Sequence, residues 1–191
     1  MNWQKDIMIQ VGRLLRKSPL SKISWVFAPR SFAAYFKDFD KVEAVRGIFG
    51  ERTSEILRNL KVDLSWFGGG YMSVSSSSGH LVVNVPYLRN GSKVDVYLDI
   101  IHELCHVRQL LEGKDLYDSR YSYVDRPTEI EAYRYTVQEA RRFGLSDERI
   151  YEYLKTELMS AEDLRILSKT LNLNSQRKKK KREQEKTSNR I

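Results

Sequence analysis

The sequence predicts an α+β fold. A helical N-terminal part covers residues 1–60, a small and mainly antiparallel sheet covers 61–90, and a second helical part covers 92–172. Two changes of hydrophobic period carry that expectation. Through the first sixty positions, and again from Ser92, apolar residues recur at intervals of three and four, the period of an amphipathic helix. Between them the chain alternates or runs apolar over short stretches bounded by glycine and serine, as strands do. A chain of 191 residues is long enough for one domain with a proper core and short for two. Residues 1–174 therefore read as a single domain, and 175–191 as a disordered basic tail.

The elements follow in order. Trp3, Ile7, Val11, Leu14 and Leu15 share one helical face, and Ser18-Pro19 stops that run. From Ser31, Phe32, Phe36, Phe39, Val42 and Val45 repeat the spacing until Gly47 and Gly50 interrupt it, and residues 53–60 read as one more short helix. Val62, Leu64 and Trp66 then alternate as a half-buried strand, with Gly68-Gly69-Gly70 as its turn. Residues 71–75 form a second strand and 76–79 a loop. HLVVNV, residues 80–85, is the clearest strand, and Pro86 after it suits an edge strand or a strand terminus.

Ser92 with Asp95 three later resembles a capping box, and Gly113 is a C-terminal stop. A loop rich in Tyr and Asp leads to Pro127, which suits the first turn of a helix ending before Gly144. Ser146 and Ser160 are N-caps for helices over 147–158 and 161–172.

Composition narrows the function classes. With 41% hydrophobic residues the chain is globular, and it has no run of 18 apolar residues to span a membrane. The first twenty residues lack the apolar core of a signal peptide, and the single Cys105 has no disulfide partner within the chain. Both favour a reducing, cytoplasmic setting. The net charge of +8 is concentrated at one end: residues 175–191 hold eight Lys/Arg and two Glu. The remaining chain is nearly neutral. The KKKKR run within 177–182 attracts phosphates without sequence preference, so a weak nucleic-acid contact is expected of the tail rather than of the domain.

Chemistry concentrates in HELCH, residues 102–106, which takes two of the three histidines in the chain. Residues four apart on a helix project from one face, so His102 and His106 can direct ring nitrogens at one ion about 2.0–2.1 Å away. Glu103 lies roughly 100° further round, beside such an ion, where a general base would take a proton from water. Cys105 sits three residues from His102 and next to His106, and reads as a small core hydrophobe. A catalytic zinc usually takes three protein ligands. No histidine follows His106, and Gln109 and Glu112 stand where the extended HExxHxxGxxH pattern has glycine and histidine. The third ligand is then a carboxylate, or His80 from upstream.

RPTEIEAYRY, residues 126–135, offers Glu129 and Glu131 in the first turns of a helix. They lie about 200° apart, so only one can face the ion. With Ile130, Tyr133, Val137 and Ala140 as the apolar stripe, spacing leaves the two open, along with an Asp of 115–125.

The combination of VVNV (82–85), HELCH, and Glu-Ala-Tyr (131–133) on a second helix resembles the compact gluzincin type of zinc metallopeptidase, the ImmA/IrrE-like members. The likeness covers about residues 80–140. It departs at Tyr133, where those proteins carry Asn or Asp, and at Tyr135, where larger gluzincins have Asp. The resemblance implies a zincin-like fold, Zn2+ held by His102, His106 and Glu131, Glu103 as general base, and a protein or peptide substrate. A nucleic-acid-associated protein with a structural metal, or none, is the competing class. The sequence leaves the oligomeric state open.

Overall fold

A computed structural model describes residues 11, 12, 15, 29–66, 70–156 and 159–173. Most of the helix read over residues 3–15, the glycines 68 and 69, and the basic tail lie outside the described residues. The fold is α+β, with a four-stranded sheet in the order β1-β2-β4-β3: β1 Arg30–Ser31, β2 Lys61–Ser65, β3 Met72–Val74 and β4 Leu81–Asn84.

The sheet is mixed rather than mainly antiparallel. β1 runs antiparallel to β2, and β3 to β4, but β2 and β4 are parallel, with Val62 opposite Leu81. The reason is topological. β3 and β4 form a local hairpin whose turn ends at Gly79 (φ 70°), and β4 inserts between its own partner and β2. β4 is therefore an interior strand rather than an edge, and of the two readings of Pro86 the strand terminus holds, since β4 ends at Asn84. Its inward residues Leu81 and Val83 are fully buried with Val62 and Val74.

The N-terminal helical run breaks into pieces: α1 Phe32–Tyr35, a 3-10 turn at Phe39–Lys41, α2 Glu43–Phe49 and α3 Thr53–Asn59. Asp38, in the left-handed region at φ 64°, makes the first break. The predicted apolar residues are nonetheless buried, and the rings of Phe32, Phe36 and Phe39 pack on one another at 4.9–5.9 Å. Val85 opens a short helix, α4 Val85–Asn90, that the strand pattern conceals. Asn84 caps it by accepting from Tyr87 N at 2.9 Å, and Pro86 sits in its first turn.

The long helix α5, Lys93–Leu111, is the centre of the molecule. Ser92 accepts from Asp95 N, while the Asp95 side chain turns away to Arg149, so only half of the capping box forms. Gly113 (φ 75°) follows its end. Thirteen of its nineteen residues are buried, on every side of the helix, which is what a helix covered by a sheet and other helices requires. Phe39 packs on its Tyr97 at 5.8 Å, and α6, Pro127–Arg142, packs along it more extensively than any other pair of elements meet. α7 Asp147–Leu154 and α8 Ala161–Thr170 start at the expected serines, and Ser160 forms a full capping box with Asp163. Among the described residues no helix is long and apolar enough to cross a membrane.

Polar side chains tie α5 to its neighbours. Tyr97 donates to Glu139 Oε1 at 2.6 Å, and Arg142 closes on the same carboxylate. One turn before the histidines, Asp99 accepts from Tyr87 of α4 and, at 2.7 Å, from Tyr153 of α7. Burial pushes the Asp99 carboxyl up to about 6 from an ordinary 3.8, with Asp95 adding to the rise and the two tyrosines opposing it.

An unfolded chain ionises Asp99 near its ordinary value, so folding between about pH 4 and 6 takes up a proton. The contribution of this group to stability therefore falls as pH rises through that window. Asp99→Asn keeps an acceptor and removes the charge. Urea unfolding at a series of pH values should show the variant gaining on the wild type by about 1–3 kcal/mol between pH 4 and 6. A difference that does not change with pH would exclude this account of Asp99.

Candidate metal centre

His102 and His106 point from one face of α5 toward α6, their Nε2 atoms 3.0 Å apart. The third donor comes from the first turn of α6: Glu129 Oε2 lies 3.3 Å from His102 Nε2 and 3.5 Å from His106 Nε2. All three residues are buried, and their donor atoms form a group that can hold a metal ion. A tetrahedral ion with bonds of about 2.0–2.1 Å sets neighbouring donors about 3.3 Å apart. The three separations bracket that value.

The carboxylate is Glu129, which corrects the expectation of Glu131 drawn from the resemblance. The buried stripe of α6 runs through Glu129, Ala132, Tyr133, Thr136, Val137 and Ala140, the i, i+3, i+4 pattern of one helical face, and Ile130 stands at its margin. Glu129 is thus on the face turned to α5. Tyr133, one turn on, packs against the His102 ring at 4.5 Å. Glu131 points to the end of α5, where it accepts from Arg108 Nη2 at 2.6 Å, Gln109 Nε2 at 2.8 Å and Lys114 Nζ at 3.2 Å. The other candidates lie elsewhere. His80 Nδ1 meets Asp63 Oδ2 at 2.9 Å on the sheet, and Asp118 is held by Arg120. Cys105 is buried, and burial pushes its thiol up to about 12, as expected of a core hydrophobe.

Two nitrogen lone pairs 3.0 Å apart repel, so without an ion one proton lies between the two rings. Its owner is His106. Burial lowers the proton affinity of that ring, but the Glu129 contact, the Glu103 and Glu129 charges and the Gln109 bond outweigh this and carry it up to about 9. His102 moves the other way because burial dominates. Burial alone would raise Glu129, yet the two imidazoles hold it well below the usual carboxylate range. Glu129 Oε2 nevertheless makes no well-directed hydrogen bond, and neither does the buried His102 Nδ1. An acceptor that is charged, buried and facing two nitrogens without alignment fits an ion better than a proton.

Glu103 lies beside this group, as expected from the spacing, and is buried. Burial, with Glu129 and Asp99 nearby, pushes its carboxyl up to about 7 against the opposing pull of His106. Two residues to which the sequence reading gives no part in the site complete the surroundings. Arg126 Nη1 lies 3.8 Å from Glu129 Oε1, and Gln109 Oε1 lies 2.7 Å from His106 Nδ1. Gln109 sits three residues after His106, on the same face of α5, and that spacing is the signal that could have found it. The tyrosine-rich loop crosses nearby: Tyr117 donates to the Val74 carbonyl at 3.0 Å and the Tyr123 and Tyr133 hydroxyls meet at 2.9 Å.

Compared with known proteins, the chain matches no family model, no curated protein and no solved structure.

Metal analysis of the purified protein should find about one divalent ion per chain. His102→Ala, His106→Ala and Glu129→Ala should each reduce it to a small fraction, because a site of three ligands loses one. Glu131→Ala should still fill to one ion per chain at saturating metal. The reverse result, with Glu131→Ala empty and Glu129→Ala full, would overturn the ligand assignment.

Proposed function

We propose that this protein is a zinc-dependent metallohydrolase acting on peptide bonds. The observation that carries the reading is the buried group of two imidazoles and a carboxylate at tetrahedral donor spacing, with the buried Glu103, next to His102 in the chain, within reach of the charges of His106 and Glu129. Two imidazoles and one carboxylate are a donor set that suits zinc, and three protein ligands leave a fourth position for a reactant. A zinc ion held there supplies Lewis acidity and makes water a nucleophile near pH 7.

The chain itself would do the rest. His102, His106 and Glu129 hold the ion. Glu103, with its raised proton affinity, takes a proton from the attacking water and can return one to the leaving amine. Burial of the four residues keeps bulk water from competing for those protons. The resemblance to compact gluzincins, carried by VVNV and HELCH but not by the Glu-Ala at 131–132, since Glu129 rather than Glu131 faces the histidines, is what favours peptides over other acyl substrates. A zincin-like arrangement of sheet, HExxH helix and glutamate-bearing helix is part of the same proposal.

Glu103→Gln should retain zinc at wild-type stoichiometry and lower hydrolysis of a quenched fluorescent peptide library by about 10²–10⁴-fold. A chelator should abolish the wild-type activity and added zinc restore it. Unchanged turnover in Glu103→Gln would remove this residue from the mechanism, and a native protein that binds no metal would remove the mechanism altogether.

A further inference from the structure

Glu131 is not a ligand, yet it is held by three donors that all belong to the end of α5 or the residues after it. One of them, Gln109, is fully buried and spends every polar group. Its amide nitrogen donates to the Thr128 carbonyl at 2.9 Å and to Glu131 Oε2 at 2.8 Å. Both partners can only accept, so the amide cannot be turned round, and its oxygen must face His106. That oxygen, 2.7 Å from His106 Nδ1, can only accept in turn. A hydrogen is thereby fixed at Nδ1 in either protonation state of the ring, so Nε2 is the nitrogen turned to the site and the one an ion would take.

We propose that Glu131 is a positioning residue that orients the His106 imidazole through Gln109. This deepens the metal-centre reading and rests on it for its effect on metal affinity. The ring geometry itself does not depend on an ion, because Nδ1–H donates to Gln109 whether or not Nε2 is occupied. The asymmetry between the two histidines follows: His106 is supported from behind, and His102 Nδ1 has no such partner. Outer partners of this kind are commonly worth 10–100-fold in metal affinity. Arg108 and Lys114 serve Glu131 in a different way, by pairing with its charge.

Two measurements on the full-length protein test this. The first is hydrogen exchange of the His106 Nδ1 proton by 15N-edited NMR, with and without zinc. It should be slow in the wild type in both states, and about tenfold or more faster in Gln109→Leu and in Glu131→Ala. The second is zinc affinity by chelator competition, which should fall about 10–100-fold in Gln109→Leu and in the same direction, by less, in Glu131→Ala. Glu131→Ala should add nothing in the Gln109→Leu background. Glu131→Gln keeps an oxygen that accepts from Gln109 and should stay within about threefold of the wild type, as should Lys114→Ala.

A Glu131→Ala loss that persists undiminished in the Gln109→Leu background would overturn the relay. A Glu131→Gln loss equal to that of Glu131→Ala would do the same, since it would assign the effect to the ion pairs. If the metal-free protein shows the protected proton and its sensitivity to Glu131 while no zinc binds, the positioning role stands and the metal reading fails.

Discussion

The constraint on which this structure turns is that three ionisable side chains, His102, His106 and Glu129, are buried together where α5 meets α6. Buried charge is tolerated only when paired, and every element near the contact is arranged to allow that pairing. The small residues Ala132, Thr136 and Ala140 are buried on α6, the helix that packs most extensively on α5. Tyr133 packs on the His102 ring, and Gln109 fixes the His106 ring from behind. Apolar replacements of similar volume commonly stabilise such a contact. Two imidazoles and a carboxylate stand there instead, with Glu129 Oε2 lacking an aligned donor, close enough together to hold a metal ion.

α5 shows how far a sequence can be read and where the reading stops. Its start at Ser92, its stop before Gly113 and the shared face of the two histidines all follow from local rules, because each depends on residues within one or two turns. The starts of α6, α7 and α8 are legible for the same reason. The parallel pairing of β2 with β4 is not, since the partners are nearly twenty residues apart and the intervening hairpin looks complete by itself. Val85 extends the apolar run of β4, and only the Asn84 cap reveals that a helix has begun.

The choice between Glu129 and Glu131 failed for a subtler reason. Drawing the stripe of α6 through Ile130 rather than Ala132 turns the inferred face by roughly half of the 100° residue step, away from Glu129, and the choice then goes to Glu131 on the resemblance alone. Alanine is too small to declare itself in a pattern of large apolar residues. Yet at a close helix–helix contact it is the small residue that marks the face. Reading Ala132, Thr136 and Ala140 as the approach stripe places Glu129 toward α5 from the sequence alone.

The glutamates of the site also show that surroundings, not residue type, decide what a carboxylate does. Glu131, partly exposed, resists the cost of its own burial through bonds from Gln109, Arg108 and Lys114, which carry it down to about 2. It is therefore a permanent acceptor, suited to holding an amide in place. Glu103 is buried with Glu129 and Asp99 for neighbours, and only His106 pulls the other way, so its proton affinity rises to about 7. A group so poised can both take and return a proton near neutrality, which a permanently ionised one cannot. Glu129 lies between these extremes in place but not in behaviour: ionised by the two imidazoles and denied an aligned hydrogen bond, it is the carboxylate left with charge to offer an ion.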